Sequence, residues 1–158
     1  MSNVTIRSMT QEDLEPVYAI ERITYQIDPW SRDQLISEID RIPETRYYTV
    51  AESNGEIIGY GGLFSPSVGV EADIQTLTVT PEFQDRGIGR ALLLNLLEEA
   101  DRRKAPGVLL EVRAGNDAAI HLYKACGFTE ISRRPNYYGR NLDALIMRKL
   151  FDANGSAL

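Results

Sequence analysis

The chain has 158 residues, 43% of them apolar and 25% charged, which suits one soluble globular domain. One Cys and one His exclude zinc fingers, iron–sulfur sites and disulfide scaffolds, and no metal site is expected. A net charge of −6 argues against a nucleic-acid binder; it mildly favours cationic ligands such as amines, and a charge of this size also simply keeps a small domain soluble. No run approaches the length of a membrane span, and residues 1–7 lack a basic, then apolar leader. The expectation is a cytoplasmic protein with no membrane contact, the single thiol fitting a reducing compartment.

In chain order, residues 4–8 alternate as a first strand. Thr10-Gln11-Glu12-Asp13 is a capping box, and Leu14, Val17, Tyr18 and Glu21 follow helical spacing to about Thr24. Asp28-Pro29-Trp30 breaks that helix. Ser31-Arg32-Asp33-Gln34 opens a second one through Leu35, Ile39 and Ile42, ended by Pro43. Residues 47–53 and 56–64 form a hairpin on Asn54-Gly55, and residues 71–79 extend it. A long helix follows over residues 87–103, with Ile88, Ala91, Leu92, Leu96 and Leu97 on one face. Residues 108–112 read as a short buried strand, and residues 116–126 as a helix stopped by Gly127. Two strands, 129–134 and 143–149, flank an irregular loop. The order β-α-α-β-β-β-α-β-α-β-β predicts an α+β domain over residues 1–150, with one mixed, mostly antiparallel sheet flanked by helices. Residues 151–158 read as a flexible tail.

The segment richest in chemistry is Leu77-Thr78-Val79-Thr80-Pro81-Glu82-Phe83-Gln84-Asp85-Arg86-Gly87-Ile88-Gly89-Arg90. A strand ends, a turn follows, and two glycines open a helix. Free amides at such a helix start, with the helix dipole behind them, bind anions. A Walker A loop would need Lys-Ser/Thr after Gly89, where Arg90-Ala91 stand. A dinucleotide fingerprint would need Gly or Ala at Leu92. The pattern Q/R-x-x-G-x-G/A fits at every position.

That loop resembles the acetyl-CoA pyrophosphate loop of the GNAT N-acetyltransferase superfamily. The order of elements is similar to the GNAT fold over about residues 4–150. Three further segments resemble its RimI-like subgroup, which acetylates protein N-termini, notably the N-terminal alanine of a ribosomal protein. They are Pro29-Trp30-Ser31, the run from Leu110-Glu111-Val112-Arg113 through Asn116 and Leu122-Tyr123 to Gly127-Phe128, and Arg134-Pro135-Asn136-Tyr137-Tyr138.

The resemblance implies roles. The loop Gln84, Asp85, Arg86, Gly87, Ile88, Gly89 and Arg90 would hold the pyrophosphate of acetyl-CoA. Leu77, Thr78 and Val79 would lie along the pantetheine arm, where their strand splays from residues 108–112. The Val79 N–H would donate to the thioester oxygen. Asn116 would contact the cofactor or cap its helix. Glu111 would be the general base. It is expected to stand alone on its sheet face, with an ion pair to Arg113 as the structural alternative. Tyr123, seven residues after Asn116 and on the same helix face, would protonate the leaving thiolate. Tyr137, Tyr138, Trp30 and Asp28 would face the substrate, Trp30 being equally suited to core packing. His121 reads as solvent-facing or structural. Cys126 reads as a packing residue, so no acetyl-cysteine intermediate is expected and transfer is direct in a ternary complex.

An α-amine ionises near about 8 and a lysine amine near about 10.4, so a modest base suits an N-terminus better. The expected partner is a protein N-terminus, a ribosomal protein foremost, bound by a monomer or weak dimer. The alternatives are a GNAT acting on lysine side chains or a small amine, and a non-catalytic acetyl-CoA sensor. Glu111 and Tyr123 speak against the sensor.

Overall fold

The computed structural model describes residues 3–24 and 29–152. The strands are β1 (Val4–Ser8), β2 (Arg46–Ser53), β3 (Glu56–Phe64), β4 (Ala72–Val79), β5 (Gly107–Arg113), β6 (Thr129–Arg134) and β7 (Ala144–Leu150). The α-helices are α1 (Leu14–Thr24), α2 (Arg32–Asp40), α3 (Ile88–Arg102) and α4 (Asp117–Ala125). One seven-stranded sheet runs in the order β1-β2-β3-β4-β5-β7-β6. Every neighbouring pair is antiparallel except β4 and β5. This is the expected GNAT architecture.

Local chemistry sets the boundaries. Asp13 and Ser31 close both expected capping boxes, Ser31 accepting from the Gln34 amide at 3.1 Å. Arg7 reaches the Asp13 carboxylate with two bonds of 2.8 and 2.9 Å and holds it below the usual carboxyl range. The helix expected to run through Ile42 stops at Asp40, because a residue before proline avoids helical angles. Asn54 and Gly55 take the positive φ angles, 52° and 78°, that a tight hairpin needs.

Helices cover both sheet faces unequally. On one face α3 and α4 bury Leu93, Leu96, Leu97, Ile74, Val108, Leu110, Val112 and Met147 in the larger core. Each such side chain contributes about 1.5–3 kcal/mol on burial. On the other face α1 and α2 pack Val17, Ile20 and Leu35 against Tyr48, Val50 and Tyr60. Their sheet contacts fall on β2, β3 and β4. Among the described residues, the main contacts of α1 and α2 therefore leave the β5–β7–β6 half of that face uncovered.

Phe151 donates its N–H to the Pro106 carbonyl at 2.9 Å and packs on the larger core. Residues 153–158, the rest of the expected tail, lie outside the described residues. No described helix is long and apolar enough to cross a membrane.

The end of α4 carries a feature the sequence did not announce. The buried Lys149 ammonium donates to the Cys126 carbonyl at 2.6 Å, where the helix leaves carbonyls unpaired. Gly127 follows with φ 98°, and a Cβ there would lie 2.5 Å from Nζ. Gly127→Ala should therefore cost about 1–3 kcal/mol, from left-handed strain and displacement of the lysine. Urea denaturation checks this, and an unchanged midpoint would refute the packing argument.

Candidate active site

β4 and β5 pair only over Ala72–Ile74 and Val108–Leu110. Beyond that point they part. The cause lies in β4, whose pairing with β3 jumps from Gly62↔Thr76 to Leu63↔Ile74 and leaves Gln75 as an extra, bulged residue. A bulge bends and twists its strand, here away from β5. The expected splay is present, and it has this local cause.

The parting exposes backbone groups. Thr80 donates to Ile58 at 2.9 Å, and Gly59 lies opposite Val79. Antiparallel ladders alternate hydrogen-bonded and open pairs. The Val79 and Leu77 amides therefore turn away from β3, toward the opening. The Val79 carbonyl is occupied by Gln84 Nε2 at 3.0 Å, which ties the following loop to the strand end. Gln84 thus has a structural duty beside its expected place in the anion loop.

The loop itself is shaped as an anion seat. Asp85 and Gly87 are left-handed, with φ 63° and 83°. The first helical bond of α3 runs from Ala91 to Gly87 at 3.1 Å, so the preceding amides point out of the helix end. The first turn of α3 contains no acidic residue to compete for them. Arg86 is held 5.1 Å from the Phe83 ring centroid. Gly89 lies close to Val79 and Leu122, so loop, strand and α4 converge. Of the expected cofactor residues, Leu77, Val79, Gln84, Asp85, Arg86, Gly87, Gly89 and Arg90 are exposed or partly exposed along the strand end and loop, whereas Thr78 and Ile88 are buried.

Asn116 caps α4, its side chain accepting from the Ala119 amide at 3.3 Å. Tyr123 sits farther along α4. It is buried and packs edge-on against Phe128, with ring centroids 5.9 Å apart. Cys126 is buried, as expected of a packing residue, and His121 is exposed.

Glu111 corrects the sequence reading. It was expected to stand alone on its face, or to pair with Arg113. It is exposed, and Arg134 Nη1 lies 3.3 Å from its Oε1. The partner comes from β6, two strands away, because β7 lies between β5 and β6 and, among the described residues, α1 and α2 pack mainly on β2, β3 and β4. Arg134 also lies 5.4 Å from the Tyr137 ring centroid, and Tyr137 meets Tyr138 edge-on at 5.1 Å. Both tyrosines are exposed, as a peptide-facing loop requires. The loop is held by Asp143, which accepts from the Asn136 amide at 3.0 Å and from Arg133 at 3.2 Å. Those two bonds keep its carboxyl below the usual range.

Trp30 is half-buried. Its ring sits 6.4 Å from Tyr48, and its amide donates to Glu21 at 2.9 Å. Glu21 is buried in turn and accepts from the Tyr60 hydroxyl. Trp30 therefore packs on the α1–α2 core cluster while lining a cleft with Gln34, Ser37 and Glu38. Asp28, the other expected substrate contact from this hairpin, lies outside the described residues.

Sequence reasoning missed Asp73, Arg134, Glu21 and Asp143. Asp73 carried a weak signal, since strand alternation puts it opposite the core residues Ala72 and Ile74. Arg134 stood inside a recognised segment but had no assigned role. Neither partner of Glu21 is near it in sequence.

Comparison with known proteins agrees with this geometry. The Acetyltransferase (GNAT) family model matches residues 9–128. The [ribosomal protein bS18]-alanine N-acetyltransferase of Escherichia coli K12 is 37% identical, over 90% of this chain and 95% of that one. The N-alpha-acetyltransferase RimI of Mycobacterium tuberculosis is 35% identical, over 92% of each chain. The crystal structure of the Escherichia coli ribosomal-protein-S18-alanine N-acetyltransferase superposes with a TM-score of 0.80, at 35% identity over 92% of each chain. With a diverging β4–β5 pair, an anion seat at the start of α3 and a family match over most of its length, the chain belongs to the Acetyltransferase (GNAT) family.

Proposed function

We propose that this protein transfers the acetyl group of acetyl-CoA to the N-terminal alanine of ribosomal protein bS18, in the cytoplasm and in a ternary complex. The observation that carries this reading is near full-length similarity, at 37% identity, to an enzyme named for that reaction, joined by 35% identity to an N-alpha-acetyltransferase. The tyrosine loop beside Glu111 supports a peptide rather than a small amine.

In this reading the amides of Gly87, Ile88, Gly89 and Arg90 bind the pyrophosphate, and the arm lies along Leu77–Val79. Acetyl-CoA supplies the thioester carbon, and the Val79 N–H faces its oxygen as negative charge develops. Glu111 takes a proton from the substrate ammonium, directly or through a water. The freed amine forms the C–N bond while the C–S bond breaks, the Tyr123 phenol gives its proton to the departing sulfur, and the second nitrogen proton passes to solvent, from which the phenolate is re-protonated. One ammonium and one thioester yield one amide, one thiol and one proton. Cys126 takes no part, being buried at the far end of α4.

Steady-state acetylation tests the reading. A peptide beginning Ala-Arg should be turned over, and the same peptide with a blocked N-terminus and a free lysine should not. Turnover of the lysine or of polyamines alone would establish a side-chain or small-amine enzyme. Acetyl-CoA binding with no turnover of any amine would establish a sensor.

A further inference from the structure

Six charged side chains, five of them on strands, face the open half of the sheet near the divergence, and their pairing is uneven. Glu111 is matched by Arg134 at 3.3 Å. Glu71, just before β4, is matched by Arg148 of β7 with bonds of 2.8 and 3.1 Å. Asp73 of β4 has no hydrogen-bond or ion-pair partner among the described residues, although it is half-buried. Arg113, on the same face of β5, points to solvent.

The position of Asp73 is distinctive. It pairs in register with Leu109, and Glu111 lies two residues farther along the same face of β5. Strand spacings put the Asp73 and Glu111 Cα atoms about 8 Å apart, so their carboxylates can flank one small cation. The β4–β5 pairing ends one residue later, at Ile74↔Leu110, so Asp73 stands at the mouth of the opening where the acetyl group would be presented. Burial first, then the charges of Glu111 and Glu71, push its carboxyl above the usual range. An uncompensated carboxylate in such surroundings marks a site that a cation completes.

We propose that Asp73 is a substrate-binding residue that receives the N-terminal ammonium of the incoming peptide, leaving Glu111 to take its proton. This rests on the acetyltransferase reading and deepens it. Glu71 and Glu111 already have guanidinium partners, so the carboxylate left over is the one that matches a single ammonium. Asp73 therefore sets selectivity for a free, charged N-terminus.

The test compares wild type, Asp73→Asn and Asp73→Glu on the Ala-Arg peptide. Asp73→Asn keeps the shape and should raise the peptide KM about tenfold or more. Its kcat should stay within a few-fold and its acetyl-CoA KM should not change, the pattern of lost ground-state binding. Asp73→Glu should recover part of the affinity. A second arm measures inhibition by an unreactive peptide with an N-terminal quaternary ammonium against its desamino counterpart. Wild type should prefer the cation, and Asp73→Asn should show no preference. A peptide KM unchanged in Asp73→Asn, with wild type active, overturns the proposal. An inactive wild type overturns the acetyltransferase reading instead.

Discussion

Glu111→Gln should lower kcat/KM for the Ala-Arg peptide by about 10²-fold while leaving acetyl-CoA affinity unchanged. General-base catalysis contributes about 10²–10⁴-fold, and Gln keeps the size and shape of Glu without the capacity to take a proton. The proposed pyrophosphate seat lies on another element, at the start of α3, so the cofactor should not register the change. Stability should barely move. The ion pair with Arg134 is substantially exposed on both sides, and such pairs contribute about 0–1 kcal/mol. A loss of activity with unchanged thermal midpoint and cofactor affinity therefore isolates proton transfer. Wild-type activity in the variant would remove Glu111 from the chemistry and leave bulk water as the proton acceptor.

Much of the fold was legible because its signals are local. Capping boxes at Thr10 and Ser31, the Asn54-Gly55 turn and the Gly127 stop each involve residues a few positions apart. The loop from Gln84 to Arg90 was legible for the same reason: strand end, turn and helix start are consecutive. Glu111 and Tyr123 were assigned their roles by resemblance, and the structure adds their surroundings. The surroundings were not legible, since they depend on strand order. Arg134 reaches Glu111 only because β7 returns between β5 and β6. Alternation gave Glu111 its face but could not show that, among the described residues, α1 and α2 leave that half of the sheet uncovered, so a lone carboxylate was expected where an exposed one paired to Arg134 stands. Glu21 was counted as one more residue on the helical repeat of α1. Its burial became visible only when Tyr60 and the Trp30 amide converged on it. The bulge at Gln75, which opens the sheet, follows from a register shift of one residue, and no residue type near it announces that shift.

Tyr123→Phe should lower kcat by about 10²-fold with both KM values and the folded structure preserved. The ring is buried and packs edge-on against Phe128, and phenylalanine keeps that contact. What is lost is the hydroxyl proton, so the effect should fall on the step in which the C–S bond breaks. The size follows from the usual contribution of a positioned acid. A loss confined to kcat marks an interaction made only in the transition state, whereas a rise in acetyl-CoA KM would mark a packing role against the cofactor. The two variants also separate the halves of the reaction. In the proposed mechanism Glu111 acts on the nucleophile and Tyr123 on the leaving group, so a substrate amine that is already largely neutral should relieve the Glu111→Gln defect without relieving Tyr123→Phe. A peptide whose N-terminal amine has a lowered pKa provides that substrate. Equal rescue of both variants would show that the two residues do not divide acid and base duties, and that the assignment of Tyr123 as the acid is wrong.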